Sequence, residues 1–215
     1  MKIMITGFDA FGGEMINPAL EIVNLLPNNL LGHSIVKVVL PTAFYHSKAV
    51  LAAAVSQEKP DVVLSIGQAG GTTSIRVERV AINQDDARIP DNEGQQPIDC
   101  VIEETGEAAY FSTLPIKRMV SDLQRKGIPA QVSNSAGTFV CNHVMYQALY
   151  LAKQEYPQML AGFVHVPFLP EQVTTKPNQP SMSKKVMFDA VIQMLTTIIT
   201  SMDQADLKLS GGTIF

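Results

Sequence analysis

Residues 1–40 read MKIMITGFDAFGGEMINPALEIVNLLPNNLLGHSIVKVVL. The β-branched run 2–6 reads as a strand, and 18–26 as a helix with Pro18 at its first position, where a missing N–H costs nothing. Residues 34–40 read as a second strand. The same alternation continues outward. A helix is expected over 46–57, a strand over 61–66 and an extended segment over 74–82. The run 115–126 is amphipathic, with Ile116, Met119, Val120 and Leu123 on one face. A strand at 130–133, a helix at 138–155, a strand at 160–166 and a last helix at 183–202 complete the series. Repeated strand-then-helix units imply an α/β fold, a mostly parallel sheet covered by helices on both sides. No repeat or linker interrupts the pattern, so residues 1–202 read as one domain. Residues 83–99 and 168–180 are polar, proline-containing loops. Beyond Met202 periodicity is lost and Gly211-Gly212 occurs, so 203–215 are expected to be a frayed tail.

Composition narrows the classes. Of 215 residues 46% are hydrophobic and only 17% charged, against about 25% in an ordinary globular chain. That balance excludes disorder and implies a large buried fraction, subunit interfaces included. The net charge is -4 and the cations are not clustered, which argues against a nucleic-acid partner. No apolar run approaches the about 18 residues of a membrane span, and the short run before Gly7 is no signal peptide. The expectation is a soluble, intracellular protein. Two cysteines, Cys100 and Cys141, cannot build a disulfide framework or a cysteine-based zinc site. No metal and no cofactor are expected.

In open parallel sheets ligands bind at the carboxyl ends of the strands. The segments just past each strand are therefore informative. They are Gly7-Phe8-Asp9-Ala10-Phe11-Gly12-Gly13-Glu14, Gly67-Gln68-Ala69-Gly70-Gly71 and Asn134-Ser135-Ala136-Gly137, with His165 at the end of its own strand. All four are expected on one edge. Gly7 and Gly12 have the spacing of a phosphate loop, but Gly13 and Glu14 stand where Lys and Ser/Thr belong, and a carboxylate there repels phosphate. Phe8 and Phe11 either plug the core or wall a pocket; two aromatics in a glycine-rich loop at this edge favour the wall.

With Thr138 as the cap, Cys141 lies in a helix's first turn, where free N–H groups and the helix dipole stabilise a thiolate. Beside Phe139 and Val140 it also reads as a small core hydrophobe, and position alone leaves both readings open. Cys100 has no such setting and reads as structural. A cysteine nucleophile needs a base and an orienting group. His33 opens a strand on the opposite edge, and His46 starts a helix of uninformative location. His143, two residues past Cys141, points to another side of the helix. His165 is the preferred base. In the segment 74–82, Glu78 shares a face with Val80 and Ile82 and must be paired. Spacing leaves open whether its partner is a histidine or one of Arg76, Arg79 and Arg88.

Several long stretches together resemble one family. The opening Thr6–Glu14 stretch with Asn17-Pro18 is similar to the start of the pyrrolidone carboxyl peptidases (pyroglutamyl peptidase type I). So are Gly67-Gln68-Ala69-Gly70-Gly71, Glu78-Arg79-Val80-Ala81-Ile82-Asn83 and Ala87-Arg88-Ile89-Pro90-Asp91-Asn92-Glu93-Gly94. Ser133-Asn134-Ser135-Ala136-Gly137-Thr138-Phe139-Val140-Cys141-Asn142 resembles the family's cysteine segment, and Phe163-Val164-His165-Val166-Pro167 its histidine segment. Ala10 and Val77 stand where proline is frequent. The resemblance covers residues 1–202. It implies a three-layer α/β/α sandwich and a cytoplasmic cysteine exopeptidase, often a homotetramer or another homo-oligomer, that removes N-terminal pyroglutamate from peptides. It implies a triad of Cys141, His165 and Glu78. It further implies a ring pocket from Phe8, Phe11, Phe139 and Val140, with Asn17 and Gln68 as polar or supporting groups and Arg88 nearby. Two other readings remain on the residues: a nucleoside phosphorylase or nucleosidase, which Glu14 opposes, and a binding module that kept the fold without catalysis.

Overall fold

A computed structural model describes residues 1–212. Its central sheet has seven strands in the order β2-β3-β1-β4-β9-β5-β8. These are β1 (Lys2–Phe8), β2 (Asn29–Leu30), β3 (His33–Leu40), β4 (Val62–Gln68), β5 (Ile75–Glu78), β8 (Ala130–Ser133) and β9 (Leu160–Val166). A separate two-stranded sheet pairs β6 (Val80–Ile82) with β7 (Ala109–Phe111). The helices are α1 (Pro18–Leu25), α2 (Phe44–Glu58), α3 (Ile116–Arg125), α4 (Val140–Gln154) and α5 (Lys184–Thr200).

Two cores form because strand side chains alternate between faces. On one face Ile3, Ile5, Leu64 and Val164 pack under α1, α3 and α5. On the other, Met4, Phe8, Val63 and Phe163 pack under α2 and α4. The expected α/β/α layering is what the chain builds. Where the reading is local it holds: Asn17 caps α1 by accepting from Ala19 N, Pro18 opens the helix, and Ser183 caps α5.

Four of the six pairings in the large sheet are parallel; β2 with β3 and β5 with β9 are antiparallel. The strands β5 and β8 run parallel to each other but opposite to β9. The connection from β4 to β5 is only residues 69–74, too short for a crossover that would return the chain to the sheet's other end. The chain therefore reverses. This corrects the expectation that the end of the 130–133 strand shares an edge with the other three segments. The extended segment 74–82 is corrected too. It breaks at Arg79 into β5 and β6, which belong to different sheets, so Glu78 does not share a face with Val80 and Ile82.

Over the described residues the segment after Met202 is hydrogen-bonded to α3 and to Arg79. Asp206 reaches α3, which has no cap of its own. Its two carboxylate oxygens accept from Lys117 N and Arg118 N, each at 2.9 Å. Arg118 donates to Ala205 O, Lys117 Nζ to Leu209 O, and Arg79 to Gly211 O. Residues 213–215 lie outside the described residues. Among the described residues no helix is long and apolar enough to cross a membrane.

Candidate active site

The face of the sheet under α4 carries the chemistry. Within it Gly67 of β4 stands beside His165 of β9, and Arg76 of β5 stands opposite His165 on the other side. Glu78, two residues on along β5, is therefore a diagonal neighbour of His165 and within side-chain reach. His165 Nδ1 lies 2.8 Å from Glu78 Oε1. Both residues are buried, at 7% and 1% exposure. The second carboxylate oxygen of Glu78 has no hydrogen-bond partner among the described residues, so its charge is committed to the imidazole. None of Arg76, Arg79 or Arg88 pairs with it.

Opposite them, α4 starts at Val140 with Phe139 as its cap residue, whose side chain makes no capping hydrogen bond. The cap is therefore Phe139, not Thr138. The Thr138 hydroxyl instead donates to Asp86 O at 2.8 Å. Cys141 is the second residue of the helix and half-buried. Its sulfur acts electrostatically on the His165 ring, whose Nε2 is left free because Nδ1 is taken by Glu78. Burial alone depresses a histidine pKa. Here the electrostatic influence of Cys141, and after it that of the Glu78 carboxylate, outweigh burial, and His165 is raised to about 10. Gly67 makes room for this meeting. A Cβ there would stand 2.9 Å from Cys141 Sγ and 2.7 Å from the Phe163 ring.

Aromatic rings continue from the helix start. Phe139 lies 6.2 Å from Phe11 and edge-on to Phe44 at 5.2 Å, and Phe8 lies 6.2 Å from Phe163. Phe11 and Phe139 are half-buried and keep accessible surface. Phe8 and Val140 are only 2% and 0% exposed, so they back the wall from the core and do not form it. The reason is alternation: Phe8 ends β1 on the face that packs under α2 and α4. Asn17 is also a support. Its oxygen caps α1, its amide donates to Asp9 O at 2.9 Å, and it is buried. Gln68 accepts from Gln172 Nε2 at 2.8 Å. A cleft of about 680 Å³ opens beside this group, lined by Phe11, Glu14, Gln68, Arg88, Ile89 and Phe168 among others.

Sequence reasoning misses several residues that matter here. Asn142 ties α4 to the loop beyond β6, accepting from Ile82 N at 3.0 Å and donating to Ile82 O and Gln84 O. Its adjacency to Cys141 is the only sequence signal. His143, not preferred as a base, forms a second buried pair with Asp85 at 2.7 Å and touches the edge of Phe44. It makes no bond to Cys141. Cys100 is exposed; its backbone bridges Asp85, and its sulfur donates to Ile98 O. Among the described residues no group of three His, Cys, Asp or Glu side chains could hold a metal ion.

The family model for pyroglutamyl peptidases matches residues 1–201. The chain is 56% identical over 213 residues to a pyrrolidone-carboxylate peptidase of Streptococcus suis, covering 99% of each. It is 52% identical over 214 residues to one of Clostridium perfringens, covering 100% of each. Its fold superposes on the crystal structure of pyroglutamyl peptidase I from Bacillus amyloliquefaciens with a TM-score of 0.92, at 44% identity and 96% and 98% coverage. Against the pyrrolidone carboxyl peptidase of Thermococcus litoralis the TM-score is 0.94, at 37% identity and 97% and 99% coverage. With a half-buried cysteine at a helix start, a histidine hydrogen-bonded to a buried carboxylate and an aromatic-lined cleft beside them, the chain belongs to the pyroglutamyl peptidase family of cysteine hydrolases.

Proposed function

We propose that Cys141, His165 and Glu78 act as nucleophile, acid–base and orienting carboxylate in removing an N-terminal pyroglutamyl residue from peptides. The observation that carries this is the His165 ring, held at Nδ1 by a buried carboxylate beside Gly67, whose Cβ would meet a half-buried sulfur at a helix start. The Cys141 sulfur attacks the pyroglutamyl carbonyl carbon, and the oxyanion formed is held by backbone N–H groups of the first turn of α4. His165 then gives its proton to the leaving amine as the C–N bond breaks. With the thioester in place, neutral His165 takes a proton from water, whose oxygen attacks the acyl carbon. Breakdown of that second adduct releases pyroglutamate and returns the Cys141–His165 pair to its starting state.

The substrate end is a neutral lactam, without the ammonium that other N-termini carry. Phe11 and Phe139 offer it apolar surface, with Gln68 among the polar groups at hand and Arg88 further along the cleft. A charged N-terminus entering the same space would lose solvation worth several kcal/mol, and each 1.4 kcal/mol is about tenfold in rate. The reading takes residues 1–202 as one catalytic unit, works without metal or cofactor, and assigns the enzyme to the cytoplasm. A homo-oligomer, dimer or tetramer, is supported by the low charge content and by exposed Val39, Tyr45, Ile98, Val101 and Phe111; light scattering in solution tests it.

The deciding experiment measures kcat/KM on matched pyroglutamyl, glutaminyl and prolyl reporter amides, with Cys141→Ser and Cys100→Ser alongside. Only the pyroglutamyl amide should be cleaved, Cys141→Ser should abolish release, and Cys100→Ser should leave it nearly intact. Comparable rates on the glutaminyl amide defeat the lactam pocket. Equal losses in the two folded serine variants defeat the choice of nucleophile.

A further inference from the structure

We propose, building on the pyroglutamyl peptidase reading, that the cleft beside Cys141 holds a carboxylate-recognising subsite for the part of the peptide that leaves, with Arg88 as its cation.

The cleft touches the reacting centre. Gln68 comes directly after Gly67, where a Cβ would meet the Cys141 sulfur, and Phe11 packs against Phe139 two residues before that cysteine. At about 680 Å³ the cleft is of the size that takes whole drug-like ligands, about 300–1,000 Å³. One five-membered ring fills a small part of it. The remaining room can take the next residues of a substrate.

Its charges do not balance. Glu14 is neutralised, with one carboxylate oxygen paired to Lys176 Nζ and the other accepting from Gln172 Nε2 at 3.2 Å. Lys176 is thereby spent, and its ammonium also sits 4.8 Å over the Phe168 ring. Arg88 is exposed, lines the cleft, and makes no hydrogen bond or ion pair with any described residue. The nearby Asp9 and Asp91 are already engaged. Asp9 Oδ1 accepts from Thr42 N and Asn92, and Asp91 takes the amides of Phe44, Glu93 and Gln95. Asp86 is exposed but does not line the cleft.

The arginine is also mounted rigidly. Just before it, Ala87 is buried and its N–H donates to Pro97 O at 2.8 Å, while Asp86 N donates to Thr138 O. Just after it, Asn92 donates to Ala10 O at 2.8 Å and ties the loop to the Gly7 segment. A guanidinium fixed at its base and free at its head suits bidentate capture of a carboxylate. That carboxylate has two sources: the C-terminus of a short pyroglutamyl peptide, or an Asp or Glu side chain downstream of pyroglutamate.

The test compares pyroglutamyl-alanine with its C-terminal amide, and pyroglutamyl-glutamyl amide with pyroglutamyl-glutaminyl amide, in the wild type, Arg88→Gln and Arg88→Lys. At least one acid should have a KM about fivefold below its neutral partner; which pair responds identifies the source. Arg88→Gln should level the pair, Arg88→Lys should keep part of the preference, and raising salt from about 0.05 to 0.5 M should shrink it in the wild type. The salt arm decides even where a variant folds poorly. Equal KM for acid and neutral partners in the wild type overturns the subsite, as does Arg88→Gln weakening both alike. Failure to release pyroglutamate from any of the four substrates instead overturns the proposed function.

Discussion

His165 and Glu78 meet across antiparallel strands, β9 and β5, with Nδ1 and Oε1 2.8 Å apart and neither residue more than 7% exposed. The contact exists because β5 reverses direction, which puts Arg76 opposite His165 and Glu78 on the diagonal.

That geometry sets a pH dependence. His165 is raised from 6.5 to about 10, against the lowering effect of burial, first by Cys141 and then by Glu78. The stabilisation gained by holding this proton is fully present below about pH 6.5 and is lost as pH rises through about 10. Glu78→Gln removes one raising influence, so the alkaline limb of kcat/KM should move to lower pH. Its rate should fall less than that of His165→Ala, which loses about 10⁴-fold or more. An alkaline limb that stays in place would show that Glu78 does not hold the proton on His165.

Gly67→Ala puts a methyl group 2.9 Å from Cys141 Sγ and 2.7 Å from the Phe163 ring. Overpacking of that kind costs about 1–3 kcal/mol, and the rigid neighbour here is a ring. Activity should drop at least about tenfold because the sulfur is pushed off the imidazole, with Cys141 alkylation slowed to match. A folded Gly67→Ala enzyme with wild-type kcat would mean that the sulfur has slack in this site.

The second pair, His143 with Asp85, makes no bond to the sulfur. It is buried, at 1% and 3% exposure, and it props Phe44, which in turn props Phe139. His143→Ala leaves Asp85 buried and unpaired, a loss of about 3 kcal/mol that denaturant unfolding will measure. Turnover per folded molecule should stay far above that of His165→Ala. The reverse ranking would make His143 the base.

The segment after Met202 should matter for stability. Asp206→Ala strips the only side-chain cap that the described residues give the first turn of α3, worth about 1 kcal/mol. The expected fall in Tm is about 2–4 °C, with kcat unchanged. No fall in Tm would mean that water replaces the carboxylate without cost.

Most elements are legible because each carries its own burial pattern. The unbroken apolar run of β1 marks a strand buried on both faces, and the stripe Ile116, Met119, Val120 and Leu123 in α3 marks the one side that faces a core, whatever the neighbours are. Asn17-Pro18 marks a helix start for an equally local reason. The individual site residues are legible in part. Cys141 in a helix's first turn and His165 at a strand's end are local facts, whereas Glu78 cannot be told from an ion-paired surface acid by spacing.

Local patterning thus settles the set of strands and helices, the buried sides of the helices, and a short list of chemically apt side chains, since those arise from periods of two and 3.6 residues. Who meets whom is settled in three dimensions. The reversal of β5 and β8 depends on the six residues 69–74 being too few for a crossover. The break at Arg79, the choice of His165 over an arginine as the partner of Glu78, and the capping of α3 by Asp206 from 88 residues away all result from that chain path. Sequence-local patterns do not carry such information, because contacts between distant segments are set by how the elements pair and pack in space.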